Sequence, residues 1–373
     1  MCGIAGLAGA DAVWHESTVD AMGASQAHRG PDGTLHTASS DGRAVLAMNT
    51  LLIVDPQAMP GPYLERESGV LLAFNGEIYN YRQQAAAWGI PLAAGESDAH
   101  FVVRAWAKIG PSCLDGLDGM FALAVYDPRV GKLFLARDRL GEKPPYWRLD
   151  GGRLAFASEI TTLTGYGTAP LVLRPEMIAI ETPVGVDTPF QGIQLLAPAT
   201  LLAFDIASGS LDQHTYWNLQ DQQPFTGTYS EALAKFSVVL AEQVPLRAPA
   251  CDFALLLSGG LDSSVLAYLL RPPVCVTVRY PGQDRLDESQ IAARIASDIG
   301  AEMVVVEPDH VDFTGRPAPS GRRTTGANPG KQGPRAFRIP CRPLACTGHG
   351  RSGPEVLPRF NRIMPPCGLG GGE

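Results

Sequence analysis

The sequence predicts a protein of mixed α+β and α/β class, in two folded parts followed by a disordered tail. Three observations carry this prediction. Up to about residue 212, short apolar or alternating runs of strand length recur between turn signals. From residue 252, strands alternate with helices, which is typical of a parallel α/β sheet. From residue 314, the chain is rich in Arg, Pro and Gly and has no helical or strand period, as in disordered segments.

The first part is predicted to consist of layered β-sheets with helices. Its helix Ser97–Ile109 places Phe101, Val102 and Ala105 on one face. Its predicted strands are the apolar runs Cys2–Leu7, Ala44–Val54, Val70–Phe74, Phe121–Tyr126, Lys132–Ala136, Arg153–Ala157 and Thr200–Phe204.

The second part is predicted to begin after a polar linker. We place the domains at residues 1–212 and 232–313, with a linker over 213–231 and the basic tail over 314–373. A helix is predicted over Tyr229–Val244. The alternating elements that follow are strand Phe253–Leu257, helix Asp262–Leu270, strand Val274–Tyr280, helix Glu288–Ile299 and strand Glu302–Glu307.

Composition narrows the classes of function. No run of about 18 apolar residues predicts a membrane helix. The seven cysteines lack CxxC spacing, which argues against a disulfide framework or a zinc site and favours a reducing cytoplasm. The net charge of −8 combines an acidic body with the basic tail, so nothing in the body predicts a nucleic-acid partner.

The opening MCGIAGLAG raises a question about Cys2. Once Met1 is removed, the thiol and the α-amine would belong to one residue, and an α-amine with a pKa of about 7.7–8.0 is suited to take the thiol proton. The alternative is a small hydrophobic side chain in a buried edge strand. The position alone does not decide between the two.

Further motifs decide it by resemblance. HRGPD (His28–Asp32), FNGEIYN (Phe74–Asn80) and ESD (Glu96–Asp98) follow in order, and RDRLGEKP (Arg137–Pro144) and FASEI (Phe156–Ile160) continue the pattern. Together with MCGI they resemble the glutaminase domain of the N-terminal-nucleophile glutamine amidotransferases, and specifically the asparagine synthetase branch. The resemblance implies a four-layer αββα Ntn-hydrolase fold for this part.

The same resemblance implies roles for individual residues. Cys2 would attack the side-chain amide of glutamine, Asn75 and the Gly76 N–H would form the oxyanion hole, and Glu77 and Asp98 would bind the α-ammonium group. The glutamine-binding set it implies is completed by the positions of Thr50 and Ile53.

Position 50 departs from the family pattern. The family usually has an Arg here, which pairs with the α-carboxylate of glutamine, and this chain has Thr50. Loss of such a pair would weaken glutamine binding by about 1.5–3 kcal/mol unless another base, such as Arg43, substitutes. We therefore expect a slow glutaminase, or ammonia as the working donor.

The second motif is SGGLDSS, at a predicted strand–helix junction. Gly259 and Gly260 allow close approach to phosphate, Ser258, Ser263 and Ser264 add hydroxyl donors, and Asp262 can hold Mg²⁺. The motif resembles the pyrophosphate loop of ATP pyrophosphatases (PP-loop enzymes). That resemblance adds Leu261 to the loop and implies that Leu256 and Val278 line an adenine pocket. Asp287 and Glu288 are interpreted as helix-capping residues first.

The combined resemblance implies an ATP-dependent ligase that uses ATP and Mg²⁺. Glutamine would supply ammonia to a carboxylate activated as acyl-AMP, by default aspartate, giving asparagine. Other carboxylates, a glutaminase alone and an inactive copy stay open as alternatives. A homodimer is possible, and no membrane partner is expected.

The resemblance ends near residue 313, before the second glycine-rich loop and the catalytic Glu and Lys of the family's synthetase domain. We therefore expect a truncated synthetase half, and hypothesise that residues 314–373 are a frameshift product.

Overall fold

The computed structural model describes residues 1–52, 60–167, 171–178, 185–249, 253–279 and 287–307. The chain divides into two compact units, the first spanning Met1–Thr226 and the second beginning at Gly227. Each unit is described by itself.

The first unit contains strands and short helices. Its helices are α1 (Glu16–Ser25), α2 (Tyr81–Ala87), α3 (Asp98–Ile109), α4 (Ile160–Thr164) and α5 (Pro175–Ile178), with 3-10 turns at Ala12–His15, Ala27–Arg29, Gly110–Gly116 and Leu219–Asp221. Its strands are β1 (Gly3–Ala8), β2 (Gly33–Ala38), β3 (Ala44–Thr50), β4 (Tyr63–Leu64), β5 (Leu71–Ile78), β6 (Gly119–Asp127), β7 (Lys132–Arg137), β8 (Tyr146–Asp150), β9 (Arg153–Ala157), β10 (Gln194–Leu195), β11 (Thr200–Asp205) and β12 (Leu211–Thr215).

These strands form two antiparallel six-stranded sheets. The first has the order β10-β8-β9-β1-β3-β2, and the second has the order β12-β11-β7-β6-β5-β4. In the first sheet β1 lies between β3 and β9, with Gly6 opposite Leu46 and Phe156. The N-terminus of the chain therefore leads directly into the centre of a sheet.

The two sheets pack face to face, with a helical layer outside each. Alternate residues of β1 serve opposite faces: Ile4 belongs to the core between the sheets, and Ala5 belongs to the core beneath α1. Helix α3 packs on β5 of the second sheet, burying Phe101 and Trp106. The four-layer αββα arrangement is thereby confirmed.

The second unit contains a small parallel α/β sheet. Its elements are α6 (Tyr229–Leu246), β13 (Ala254–Leu256), α7 (Leu261–Leu270), β14 (Val274–Val278), α8 (Ser289–Ile299) and β15 (Glu302–Val306). The strands lie in the order β13-β14-β15 and are all parallel. Leu257, Ala267, Cys275 and Ala292 form its core. The alternation of strands and helices that the sequence predicted is confirmed.

Two elements cross the domain limits that we placed from the sequence. Strand β12 pairs with β11 across residue 212, so the second sheet continues beyond it. Helix α6 begins inside the expected linker because Thr228 caps it, accepting the Glu231 N–H at 3.3 Å while the Glu231 carboxylate accepts the Thr228 N–H at 2.7 Å. The expected tail, 314–373, lies outside the described residues.

Of the two residues predicted to cap α8, Asp287 accepts the Ser289 N–H on its carboxylate at 2.9 Å, whereas Glu288 occupies the N-cap position and its side chain makes no cap hydrogen bond. The described cysteines, Cys2, Cys113 and Cys275, are all unpaired. In the part of the chain that the structure describes, none of the helices is long and apolar enough to cross a membrane.

Candidate active site

Cys2 stands at the entrance to β1, beside the end of β3. Because Gly3 pairs with Asn49, the thiol meets the backbone just beyond Thr50: its Sγ accepts the Leu51 N–H at 3.4 Å and lies 3.7 Å from the Leu51 carbonyl oxygen. Burial raises the pKa of the Cys2 thiol, and the Leu51 N–H offsets part of that rise. The thiol is therefore held protonated at neutral pH, and a nucleophilic role requires a base.

Residues of two quoted motifs fix the backbone around Cys2. Arg29 donates from Nε to the Cys2 carbonyl at 3.0 Å and from Nη1 to Glu159 at 3.2 Å. Ser158 accepts the Ile4 N–H on its hydroxyl at 2.9 Å. The HRGPD and FASEI segments thus hold the N-terminal strand in place.

Asn75 presents an unpaired amide donor. It lies near the end of β5 and is 1% exposed, and its Nδ2 has no hydrogen-bond partner among the described residues. A buried donor without a partner costs stability, which folded proteins usually avoid. This group is therefore available to an acceptor that arrives with a ligand.

The backbone N–H of Gly76 lies on the side of β5 that points away from β6. Its partner across β6 is Phe121, whose N–H and carbonyl oxygen both bond instead to Asp138, at 3.2 and 2.9 Å. Gly76 and Phe121 therefore form a non-hydrogen-bonded pair, in which the Gly76 N–H points away from β6. A Cβ on Gly76 would lie 2.1 Å from the Met120 carbonyl oxygen, so only glycine fits.

Two carboxylates lie beyond the oxyanion donors. Asp98, the first residue of α3, accepts the Ile78 N–H at 2.8 Å, which brings it to the end of β5 beside Glu77. Burial raises the pKa of Glu77 to about 8, with the Asp98 charge adding to the rise, and burial raises the pKa of Asp98 to about 6. Both charges also raise the pKa of the Cys2 thiol. A cation that entered here would ionise the pair.

This pair predicts a pH dependence of glutamine affinity. A ligand ammonium group binds the ionised carboxylates, whose pKa values stand above their ordinary range, so binding must release protons. In a Cys2→Ala variant, which binds without turnover, the Kd for glutamine should fall as pH rises from about 5.5 to about 7.5, by up to about tenfold per pH unit. Calorimetry in buffers of different ionisation enthalpy measures both the Kd and the released protons.

A Glu77→Gln substitution in the same variant serves as the control. It removes the group with the higher pKa, and the pH dependence should become shallower. A Kd that is constant over this range, or that rises with pH, would contradict the assignment of the carboxylate pair to an ammonium group.

Of the remaining glutamine-binding positions, Thr50 is buried at the end of β3, and its Oγ1 has no partner among the described residues. Ile53 lies outside the described residues. Arg43 is exposed and directly precedes β3, whereas Cys2 lies at the far end of that strand. The structure does not bring Arg43 to the thiol.

Two neighbours of the site had no role assigned from the sequence. Tyr63 is buried, and burial together with the charges of Cys2 and Asp98 raises the pKa of its phenol. Lys143, inside the RDRLGEKP motif, is 8% exposed, and its charge lowers the pKa of Glu77. A lysine in a Gly-Glu-Lys-Pro segment has the pattern of a solvated turn, so only its place in the motif could have indicated this position.

The SGGLDSS segment forms a tight loop between β13 and α7. Gly259 has a φ of +85°, which favours glycine. The Ser258 hydroxyl accepts the Gly260 N–H at 3.2 Å and lies 3.0 Å from the Ser263 hydroxyl, and Ser264 donates to the Gly260 carbonyl at 2.6 Å. The loop is thereby preformed at the start of a helix.

The other predicted ATP-binding residues lie at the ends of β13 and β14 and at the start of α7. Leu256 ends β13 and Val278 ends the adjacent parallel strand β14, and both are about half exposed. Leu261 and Asp262 open α7 and are exposed. Among the described residues, no three His, Cys, Asp or Glu side chains converge on one point. Asp262 fits a magnesium ion that takes its other ligands from phosphates and water.

Comparison with known families gives two matches along the chain. Residues 1–217, more than half of the chain, match the family described as "Glutamine amidotransferase domain", and residues 240–315 match the family described as "Asparagine synthase". The boundary between the matches falls where the structure changes from antiparallel sheets to helix α6.

Individual relatives extend across both parts. The chain is 29% identical over 283 residues to asparagine synthetase [glutamine-hydrolyzing] 3 of Bacillus subtilis, covering 71% of this chain and 44% of that protein. It is 27% identical over 314 residues to amidase chry2 of Gibberella zeae, covering 78% of this chain and 47% of that protein. The chain thus spans less than half the length of these curated relatives.

Among solved structures, glutamine phosphoribosylpyrophosphate (PRPP) amidotransferase from B. subtilis, complexed with ADP and GMP, aligns with a TM-score of 0.43. The identity is 14%, and the alignment covers 82% of this chain and 65% of that chain.

Proposed function

We propose, on the premise that the chain belongs to the glutamine amidotransferase family and carries an asparagine synthase region after that domain, that it hydrolyses glutamine at Cys2 and passes ammonia to an activated carboxylate. One observation carries the first half of the proposal: the unpaired Asn75 amide in the group that contains the Cys2 thiol, Glu77 and Asp98. Such donors stabilise charge that exists only in the transition state.

The proposed hydrolysis proceeds through a thioester on Cys2. With Met1 removed, the α-amine of Cys2 takes the thiol proton, and Sγ attacks the side-chain carbonyl carbon of glutamine. The oxyanion accepts hydrogen bonds from Asn75 Nδ2 and the Gly76 N–H. As the C–N bond breaks, the α-ammonium group of Cys2 gives the proton to the departing nitrogen, and ammonia leaves. Water then cleaves the thioester to glutamate and regenerates the thiol.

The second half of the proposal concerns the SGGLDSS loop. Its preformed turn and the start of α7 suit the phosphates of ATP, with Leu256 and Val278 beside the adenine. Asp262 would hold Mg²⁺, which would screen phosphate charge while the carboxylate attacks to form acyl-AMP and pyrophosphate. Ammonia would then displace AMP.

We propose two candidates for the acceptor carboxylate. Aspartate, giving asparagine, is the default because the relatives named asparagine synthetase match both parts of the chain. The similarity to an amidase supports a different carboxylate as the second candidate. In either case the amidotransferase half should act alike.

Two assays test the proposal. Glutamate release from glutamine, measured without ATP, tests the first half. Pyrophosphate release from Mg·ATP, measured with aspartate and then with a panel of other carboxylic acids, tests the second half. We expect glutamate release in the first assay and an acceptor-dependent increase in the second. Glutamate release without any acceptor-dependent pyrophosphate would show that the chain is only a glutaminase. The absence of both products would overturn the proposal.

A further inference from the structure

Glutamine carries an α-ammonium group and an α-carboxylate on the same carbon atom. The residues described above supply binding partners for only the first of these groups. The α-ammonium group has Glu77 and Asp98. The α-carboxylate has no Arg at position 50, where Thr50 stands, and Arg43 is at the wrong end of β3. Because the two groups share a carbon, the cation for the carboxylate must lie close to the carboxylates that bind the ammonium group.

Lys143 meets this requirement. Its ammonium group lies 3.6 Å from the Met1 Sδ, and its positive charge lowers the pKa of Glu77 and that of the amino terminus at Met1. The side chain is buried. Yet among the described residues its ammonium group has one hydrogen-bond contact, the Met1 Sδ at 3.6 Å, and no carboxylate within ion-pair distance.

The contact between Lys143 and Met1 is lost when Met1 is removed, which the proposed mechanism requires. A thioether sulfur is a weak acceptor, and a buried ammonium group with no better partner is costly. When Met1 is cleaved from the chain, Lys143 loses even that acceptor. The buried ammonium group is then left near the new N-terminal residue, Cys2, without that acceptor.

The protein also holds the Lys143 backbone at both ends. The buried carboxylate of Asp138 accepts the Lys143 N–H at 3.0 Å and the Glu142 N–H at 2.9 Å. The buried guanidinium of Arg137 donates from Nε to the Lys143 carbonyl at 2.9 Å. A turn fixed by two buried charged residues gives the lysine a defined position, as a binding group requires.

We propose that Lys143 binds the α-carboxylate of glutamine, in the role that an Arg at position 50 fulfils in the family. The inference rests on the proposed glutaminase function and deepens it. Lys143 acts as a binding residue that selects substrates with a free α-carboxylate, and it takes no part in the proton transfers at Cys2.

Two substrates distinguish loss of this contact from loss of the chemical step. Glutamine and glutaminamide share the side-chain amide and the ammonium group, but glutaminamide has a neutral carboxamide in place of the carboxylate. For Lys143→Met, which keeps the length and burial of the side chain, kcat/KM for ammonia release from glutamine should fall by about 10- to 100-fold, through KM. The same ratio for glutaminamide should change by no more than about threefold.

Lys143→Arg should restore most of the preference for glutamine. Lys132→Met, at a partly exposed lysine that pairs with Asp205, is the matched control and should leave both substrates unaffected. Thermal unfolding of each variant checks that it folds. An equal loss with both substrates, or a loss confined to kcat, would assign Lys143 to structure or to catalysis and overturn the proposal.

Calorimetric binding of both compounds to Cys2→Ala and to Cys2→Ala/Lys143→Met keeps the two proposals separate. If the wild-type chain releases no ammonia but Cys2→Ala binds glutamine more tightly than glutaminamide, and Lys143→Met removes that preference, the contact stands while the hydrolysis fails. If Lys143→Met leaves the preference intact, the contact itself is refuted.

Discussion

Replacing Cys2 with alanine is expected to abolish glutamate release, with kcat falling by about 10⁶-fold, the scale at which a hydrolase loses activity without its nucleophile. The thiol is the group that would form the thioester, and Cys113, the other described cysteine of the first unit, is fully buried in its apolar core. Binding of glutamine should persist, because the binding groups are unchanged. Glutamate production measures the first effect, and calorimetry measures the second.

Cys113→Ala is the matched control. It removes one thiol of the same unit from a site that is fully buried among apolar side chains. It should lower stability somewhat and leave kcat close to the wild-type value. Equal activity of Cys2→Ala and wild type would remove Cys2 from the mechanism. Loss of activity in Cys113→Ala at a temperature where it is folded would show that the loss in Cys2→Ala is not specific to the nucleophile.

Asn75→Ala is expected to lower kcat by about 10²- to 10³-fold, with little change in KM, as when one oxyanion donor is removed. The free energy of unfolding should rise or stay constant. Nδ2 is buried without a partner, so its removal abolishes an unpaid desolvation cost in the free protein. Steady-state kinetics and the free energy of unfolding in urea test the two halves separately.

This combination distinguishes a functional donor from a structural one. If the Asn75 amide served the fold, Asn75→Ala would destabilise the protein by about 1–3 kcal/mol, and kcat at a permissive temperature would be nearly normal. That result would contradict the oxyanion assignment. Ser158→Ala is a suitable comparison, since its hydroxyl does accept a backbone N–H in the ground state and should cost stability.

The sequence predicted the elements whose patterns are strong. Helix α3 was predicted because its apolar residues repeat on one face after Ser97, and the parallel strands because they are short apolar runs between turns. Helix α1 was missed because it buries only Val19, Met22 and Gly23, a weak apolar face. Edge strands β2 and β12 were missed because most of their side chains are at least partly exposed.

The order of the strands could not be predicted from the sequence. β1 pairs with β9, which is about 150 residues away along the chain, and no local pattern encodes such a pairing. Cys2, Asn75, Gly76, Glu77 and Asp98 were named from motif resemblance, and the structure gathers them at the ends of β1 and β5 and at the start of α3. Their roles stay predictions.

Lys143 shows what resemblance to motifs alone does not reveal. Its role depends on burial, on the Asp138 and Arg137 bonds that fix its turn, and on the weakness of its Met1 contact. None of these can be read from a Gly-Glu-Lys-Pro segment. The consequence of the departure at Thr50 therefore depends on the three-dimensional surroundings of the whole site.

The central claim is that Cys2, as the N-terminal residue, is the nucleophile for glutamine. The most direct measurement is mass spectrometry of the N-terminal peptide after incubation with a glutamine analogue that carries a diazo ketone in place of the side-chain amide. We expect a chain that lacks Met1 and carries one adduct on Cys2, with free glutamine protecting it. A chain that retains Met1 with an unmodified Cys2, or an adduct on a different cysteine, would contradict it.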